Sequence, residues 1–294
     1  MASDVIFPTF EDKLAAAIKR NVTDALQEDL NGAEDVSGAL LDSNVMAKAR
    51  IITRQPGIFC GRPWVEETAV QVDSNIEVTW HVADGDPLAP NQTLYELVGV
   101  AKSLLCAERT MLNFVQLLSG TATKTRFHAD LIKHTSTKLL DTRKTVPGLR
   151  DAQKYAVACA GGNNHRMGLY DAYLLKENHI AACGGVRQAI TAARNKHPDM
   201  KIEIEVETLE QLQEAIDAKA DIAMVDNFTV TDTYTAVDMA KGKILLEASG
   251  NVDENSITDI AATGVDYISM GALTKQVDPL DLSMRIIETW STSS

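Results

Sequence analysis

The C-terminal half of the chain alternates strand-like and helix-like segments, and this alternation constrains the fold more than any other feature. Six strand-like runs each end at a polar residue, and a helical pattern follows the first five. The runs end at Asp141, Lys176, Glu205 or Glu207, Asp226, Glu247 and Ser269. Such βα repeats predict a parallel sheet. Because nearly every strand end is polar, a barrel with one polar mouth, smaller than the standard eight-stranded barrel, is favoured over an open sheet.

The N-terminal part predicts a different domain, of the small α+β kind. An amphipathic helix is expected over 11–29, and strands over 46–53 and 76–82 flank a helix over 62–72. A strong helix follows over 101–118. The small residues 119–122 either break this helix before a second one over 124–133 or pack tightly against a neighbour. The tail, 281–290, predicts a terminal helix that returns to the first domain.

Charge and composition exclude several classes of protein. The 294 residues carry a formal net charge of −13, which argues against a general nucleic-acid or anionic-membrane surface. No apolar run approaches the roughly 20 residues of a membrane span, and no secretory signal is visible at the N-terminus. The four cysteines lack CxxC spacing, so a cytoplasmic protein with structural thiols is expected rather than a disulfide or zinc framework.

Cations cluster after the first strand of the repeat. Arg143, Lys144 and Arg150 lie within nine positions around the turn-forming Pro147-Gly148. His165-Arg166 and Lys176 follow near later strand positions. In an acidic protein, this set at the carboxyl ends of strands predicts an anionic substrate. The alternative is a solvated loop, and His179 is equally well explained as a helix-start histidine.

Acids and small residues complete the predicted site. Glu203, Glu205 and Glu207 alternate with aliphatic residues, so the glutamates share one strand face that points into the barrel or its mouth. Glu205 and Asp226 would lie at neighbouring strand ends and form a Mg²⁺ site, unless both are simply solvated. The turns 249–251 and 269–271 contain small residues that let backbone N–H groups approach a phosphate. A phosphorylated sugar donor with an anionic acceptor satisfies all three features.

With these residues in view, the chain resembles the quinolinate phosphoribosyltransferases, which are type II phosphoribosyltransferases, over most of its length. The resemblance rests on Glu108-Arg109-Thr110, Leu112-Asn113, Ser119-Gly120-Thr121-Ala122-Thr123, Asp141-Thr142-Arg143-Lys144-Thr145, Pro147-Gly148-Leu149-Arg150, Lys154-Tyr155-Ala156-Val157, His165-Arg166, Lys176, Asn178-His179, Glu203, Glu205, Asp226-Asn227, Glu247-Ala248-Ser249-Gly250 and Ser269-Met270-Gly271. The segment Asp35-Val36-Ser37 departs from the usual family pattern, because Glu34 replaces a glycine and Ser37 a threonine.

The resemblance implies a fold, an assembly and a reaction. The fold is an N-terminal α/β sandwich over 1–115, joined by a C-terminal helix over 277–294, and an incomplete six- to seven-stranded α/β barrel over 116–276. The assembly is a homodimer, or a hexamer of dimers, in which Arg109 reaches the neighbouring active site. The reaction joins quinolinate to phosphoribosyl pyrophosphate in NAD synthesis and gives nicotinate mononucleotide, pyrophosphate and CO₂.

The resemblance also implies roles for the site residues. Lys144, Lys176, Glu205 and Asp226 are the expected catalytic residues, and Glu205 and Asp226 also hold Mg²⁺. The full substrate-binding set is Arg109, Thr142, Arg143, Lys144, His165, Arg166, Lys176, Glu205, Asp226, Ser249, Gly250, Asn251, Ser269, Met270 and Gly271. Sequence does not decide whether Glu205 or Asp226 faces the metal, the ribose hydroxyls or the developing oxocarbenium charge.

Three other functions fit parts of the pattern. A related phosphoribosyltransferase acting on a monocarboxylate such as nicotinate would need fewer cations around its pocket. An aldolase forming a Schiff base on Lys176 would share the strand-end lysine. A phosphate-ligand sensor without catalytic activity would leave the acidic residues without a role.

Overall fold

A computed structural model describes residues 11–292, with side chains from residue 13 onward. Among these residues, chain contacts define two compact units. The first comprises 11–126, 146–160 and 276–292, and the second comprises 127–145 and 161–275. The predicted domain boundary lay at 115/116 instead. No helix in residues 11–292 is long and apolar enough to cross a lipid bilayer.

The first unit is built on an antiparallel sheet. Its elements are α1 (Glu11–Leu30), β1 (Val45–Thr53), β2 (Gly57–Ile58), α2 (Arg62–Val72), β3 (Glu77–Trp80), β4 (Pro87–Leu88), β5 (Thr93–Val100) and most of α3 (Ala101–Ile132). The four-stranded sheet also contains a C-terminal strand and has the order C-terminal strand, β1, β5, β3. The antiparallel β1–β5 pair matches Met46 with Val100 and Ile52 with Thr93.

The prediction of a C-terminal helix over 277–294 is wrong, because Leu282–Ser291 is a strand of this sheet. It pairs with the whole of β1 in antiparallel register, from Val45↔Ser291 to Thr53↔Leu282. Leu282 and Ile286 suit either a helix or a strand, since a short apolar run does not separate the two periods. The free edge of β1 decides the outcome, because the ladder satisfies the backbone groups of both segments.

The long helix α3 buries two stripes of side chains in the first unit. One stripe, which includes Leu104, Met111 and Val115, joins the apolar cluster on the antiparallel sheet. The other, Phe114 and Leu118, packs with a second cluster that contains residues of α1, α2 and the helix over 150–159. This double burial explains why the helix is long and apolar on much of its surface.

The small residues 119–122 do not break the helix, which runs without interruption to Ile132. They permit close packing instead. A Cβ atom at Gly120 would lie 2.4 Å from the Asp278 carbonyl oxygen and 3.2 Å from the Cα atom of Pro279. The Ser119 hydroxyl accepts a hydrogen bond from the Cys60 N–H at 2.9 Å and donates one to the Cys60 carbonyl at 3.1 Å.

The second unit contains the βα repeat. Its strands are β6 (Lys138–Leu140), β7 (Tyr173–Leu175), β8 (Ile202–Val206), β9 (Ile222–Asp226), β10 (Leu245–Ser249) and β11 (Tyr267–Ser269). The helix α4 (Arg150–Cys159) follows β6 in sequence but belongs to the first unit. The helices of the second unit are α5 (Glu177–Cys183), α6 (Val186–Lys196), α7 (Leu209–Asp217), α8 (Val230–Ala240), α9 (Ile257–Ala262) and α10 (Ala272–Lys275). The C-terminal strand of the antiparallel sheet is β12 (Leu282–Ser291).

The six strands form one parallel sheet in the order β6-β11-β10-β9-β8-β7. This order follows the chain cyclically, as in a barrel, but β6 and β7 are not paired with each other. At this position Asn163 forms an isolated parallel bridge with Leu140. The mixed α/β class with a six-stranded incomplete barrel is therefore confirmed, and all six strands end at the same edge of the sheet.

The close approach at Gly120 gives a test of this packing. Gly120→Ala would normally stabilise an α-helix by about 0.5–1 kcal/mol. Here the added methyl group meets main-chain atoms of 278–279, so we expect the free energy of unfolding to fall by about 1–3 kcal/mol. The measurement is the urea midpoint, with the exposed Lys102→Ala on the same helix as control. A raised midpoint for Gly120→Ala would contradict the packing.

Candidate active site

The carboxyl ends of the parallel strands carry the predicted polar residues. At the end of β6, Asp141 holds the neighbouring segment 163–165 by hydrogen bonds. Asp141 follows β6 and is fully buried. Its carboxylate accepts hydrogen bonds from the His165 N–H at 2.8 Å and the Asn164 side-chain amide at 2.6 Å. The Asp141 N–H donates to the Asn163 carbonyl at 3.1 Å. The chain before Arg166 is therefore attached to the end of β6.

Two arginines meet at this edge. The Arg166 guanidinium is largely buried and donates to the Ala172 carbonyl at 3.2 Å. Burial lowers the pKa of Arg166, and the charge of Arg143 lowers it further, while Glu203 and Asp171 act in the opposite direction. Two like charges repel each other, and an anion bound beside them removes that repulsion. The pair therefore suits a ligand with more than one negative charge.

Lys176, Glu205 and Asp226 form the opposite charge pattern. The Lys176 ammonium donates to a Glu205 carboxylate oxygen at 2.5 Å. Burial raises the pKa of Glu205, Lys176 lowers it, and the acids Glu177 and Asp226 add to the rise. In the parallel pair of β8 and β9, Glu205 is matched with Met224, and Asp226 comes two residues after Met224. Two neighbouring carboxylates thus lie beside a lysine at the strand ends.

His165 lies between two buried carboxylates, Glu203 and Glu247, which come before the ends of β8 and β10. Its Nε2 atom is 3.0 Å from Glu203 and 3.4 Å from Glu247. The exposed fractions of the Glu203 and Glu247 side chains are 1% and 0%. The Arg166 N–H donates to the Nδ1 atom of the same ring at 2.7 Å. Both ring nitrogens therefore have a defined contact.

The protonation of this cluster follows from its burial. Burial raises the pKa of Glu203 to about 7, and the charge of Glu247 adds to that rise. Burial alone would lower the pKa of His165, but Glu247 and Glu203 raise it to about 10. Because the Arg166 N–H points at Nδ1, that nitrogen carries a lone pair rather than a proton. The geometry therefore describes the neutral ring, with its one proton on Nε2, although the charges of the two glutamates favour the protonated ring.

Tight turns follow the last strands. Gly250 has φ +92°, and a Cβ atom there would lie 2.3 Å from the Asn227 side-chain oxygen. The Asn251 side-chain amide donates to the same oxygen at 3.0 Å. At the next strand, a Cβ atom on Gly271 would lie 2.8 Å from the Lys144 side chain. Glycine at these positions lets neighbouring strand ends approach closely, as a phosphate site requires.

The remaining predicted residues divide between the units. Thr142 accepts a hydrogen bond from the Lys144 N–H at 3.1 Å, and the Met270 N–H donates to the Leu140 carbonyl at 3.0 Å, so both lie at the same edge. Ser269 ends β11.

Arg109 and Arg150 belong to the first unit, where Arg109 lines a pocket with Asp24, Glu28 and Pro147. His179 accepts from the Lys176 N–H at 3.1 Å, as expected of a helix-start histidine.

Sequence reasoning left Glu203 and Glu247 out of the site. The strand alternation places Glu203 on the same face as Glu205, and Glu247 ends one of the predicted runs, so both signals were present. Neither signal shows that both glutamates lie against His165, because His165 comes from a segment outside the strands. The third glutamate of the alternation, Glu207, lies beyond β8 and is exposed.

Fold and site together define a class: a barrel-type α/β protein whose strand ends carry cations, two neighbouring carboxylates and tight glycine turns. Residues 35–119 match the sequence model of the quinolinate phosphoribosyl transferase N-terminal domain, and residues 121–285 match that of its C-terminal domain. The chain belongs to the quinolinate phosphoribosyltransferase family.

Individual relatives agree over nearly the whole chain. A probable nicotinate-nucleotide pyrophosphorylase [carboxylating] of Bacillus subtilis is 40% identical, covering 92% of this chain and 93% of its own. The nicotinate-nucleotide pyrophosphorylase [carboxylating] of Mycobacterium leprae is 39% identical, covering 91% and 96%. The solved structure of the nicotinate-nucleotide pyrophosphorylase from Francisella tularensis has a TM-score of 0.90 and 47% identity, covering 97% and 100%.

Proposed function

We propose that this chain transfers the phosphoribosyl group of phosphoribosyl pyrophosphate to quinolinate, with decarboxylation. The products are nicotinate mononucleotide, pyrophosphate and CO₂, in de novo NAD biosynthesis. The observation that carries the proposal is the set of charged side chains at the strand ends, where the segment of Arg166 is attached through Asp141 and Lys176 is bonded to Glu205, in a family named for quinolinate phosphoribosyl transfer. A planar ring with two adjacent carboxylates offers each guanidinium a charged partner.

We assign the residues at the carboxyl ends of the parallel strands to different parts of the substrates according to their charge. Arg143 and Arg166, with Lys176, His165 and the neighbouring subunit's Arg109, hold the two carboxylates and place the ring nitrogen over C1 of the ribose. The turns at Ser249–Asn251 and Ser269–Gly271 receive the 5-phosphate on backbone N–H groups. Lys144 and Lys176 contact the pyrophosphate. Once the nitrogen is alkylated, its positive charge stabilises the carbanion left when the adjacent carboxylate departs as CO₂.

The proposed metal is Mg²⁺, held by Glu205 and Asp226. The support is that Glu205 and Asp226 lie near the ends of the paired strands β8 and β9, where burial raises the pKa of Glu205 and the charge of Asp226 adds to that rise. Mg²⁺ prefers such oxygen ligands and keeps further positions for water and phosphate oxygens. When bound, it supplies positive charge to the departing pyrophosphate. Most of the catalysis is then positioning and electrostatics.

The proposed assembly is a homodimer, or a hexamer of dimers, in the cytoplasm. In this assembly Arg109 of one subunit completes the site of its neighbour. The support is the family resemblance together with the exposure of Arg109 on the surface of its own unit. A monocarboxylate acceptor such as nicotinate is the alternative, and CO₂ release distinguishes the two substrates.

The first test is the reaction itself. With quinolinate and phosphoribosyl pyrophosphate, we expect equal amounts of pyrophosphate and CO₂, and no turnover after removal of divalent ions. Asp226→Asn removes one predicted ligand, so the Mg²⁺ concentration for half-maximal rate should rise by about tenfold or more. The exposed Asp259→Asn serves as control. Pyrophosphate release from nicotinate without CO₂ would contradict the proposed substrate.

Quinolinate binding tests the arginine pair. Arg143→Ala or Arg166→Ala leaves a carboxylate of the ligand without its partner, which costs about 2–5 kcal/mol. We therefore expect the quinolinate affinity to fall by about 30-fold or more while the fold persists. Titration calorimetry measures the affinity, with the exposed Arg187→Ala on α6 as control. Unchanged affinity in either variant would end this assignment.

Complementation tests the shared site. Arg109→Ala and Arg143→Ala subunits are each expected to be inactive as homodimers. In a co-expressed heterodimer, one site regains both arginines, so activity should return to about half of the wild-type value. The heterodimer is isolated with two different affinity tags. If it stays as inactive as its parents, Arg109 does not act across the subunits.

A further inference from the structure

Glu203 and Glu247 lie on either side of the buried ring of His165, and the proposed reaction does not use either glutamate directly. Each carboxylate oxygen of the two glutamates is shielded from solvent and lacks a well-oriented hydrogen-bond donor among the described residues. The ring of His165 is the nearest group of complementary polarity, at 3.0 and 3.4 Å. Two buried acids without another partner are costly, so their presence requires a reason.

A metal ion is one candidate reason, since the three ligand atoms lie within 4.8 Å of one another. The ring geometry argues against it. A backbone N–H is always a donor, and that of Arg166 points at Nδ1 from 2.7 Å. Nδ1 therefore offers its lone pair, so the ring proton lies on Nε2, and the carboxylate oxygens of Glu203 and Glu247 lie 3.0 and 3.4 Å from that atom. A protonated Nε2 cannot bind a metal.

Residues 164–172, which include His165 and Arg166, lie in no helix or strand. Regular backbone hydrogen bonds therefore do not fix this segment, and side chains must do so. Asp141 holds the His165 N–H, and the His165 ring holds the Arg166 N–H. The ring in turn lies against Glu203 of β8 and Glu247 of β10, at 3.0 and 3.4 Å from Nε2.

We propose that Glu203 and Glu247 are positioning residues, which orient the His165 ring and through it set the backbone and guanidinium of Arg166 at the anion site. Glu203 also acts on Arg166 by its charge, which opposes the repulsion from Arg143. In this proposal the two glutamates act on Arg166 through the His165 ring and do not contact the substrate themselves. This inference rests on the proposed function for its kinetic test.

The kinetic test compares three glutamates of similar sequence context. Glu203→Met and Glu247→Met keep the length of the side chain but remove the acceptor for the Nε2 proton. We expect the KM for quinolinate to rise by about tenfold or more, and the KM for phosphoribosyl pyrophosphate to change by less than about threefold. Glu203→Gln and Glu247→Gln retain an acceptor oxygen and should lie closer to wild type. Glu207→Met, on the exposed continuation of β8, is the matched control.

A purely structural role gives a different pattern. In that case the Met variants would lose thermal stability, or would change both KM values and kcat equally, and the Gln variants would not restore quinolinate binding selectively. Either pattern overturns the inference. If wild-type protein forms no product from quinolinate, the proposed function fails. If wild type is active and the Met variants keep its KM for quinolinate, only the positioning role fails.

A measurement without substrate tests the ring itself. Nitrogen NMR of ¹⁵N-histidine-labelled wild-type protein, with His165→Gln for assignment, should show one protonated and one unprotonated nitrogen on His165. Glu203→Gln, which keeps the fold, should move the Nε2 resonance, and Glu207→Gln should not. Two protonated nitrogens would overturn the inference. So would a stoichiometric transition metal in protein purified without added metal and lost from Glu247→Gln.

Discussion

Charge balance inside the parallel-sheet unit is the constraint on which the site depends. The charge of Arg143 and burial both lower the pKa of Arg166 and so disfavour its charged form. Such a pair is stable only where acids lie nearby and the chain is held firmly. Glu203 and Asp171 supply the negative charge, and the buried Asp141 supplies the attachment. The electrostatic cost of placing the two cations at this edge is therefore partly offset by these acids.

The inward faces of the strands change character along their length. Leu140, Ile222 and Tyr267, with Ala172, form an apolar cluster inside the unit. Glu203 and Glu247 are also fully buried but polar, and Glu205 and Asp226 lie at the strand ends. An ordinary barrel interior is filled with apolar side chains. Departures from this packing are expected where function requires them.

Local pattern predicted the separate elements well. Helix 62–72 has the bounds expected from the sequence, and the six strands with their polar ends follow from alternating composition. The tail was mistaken for a helix, since its apolar spacing fits both periods and the pairing edge of β1 lies more than 200 residues away in sequence. Gly120 likewise shows its role only where the chain around Asp278 packs against it.

By itself, the sequence determined that a βα repeat brings strand ends together and which charged residues stand at those ends. Both are local properties, fixed by side-chain periodicity and turn chemistry. The tertiary structure alone decided the partners: His165 between Glu203 and Glu247, Lys176 on Glu205, and β12 on β1. Each of these contacts joins segments separated in the chain, and their energies depend on burial and distance, which no local pattern specifies.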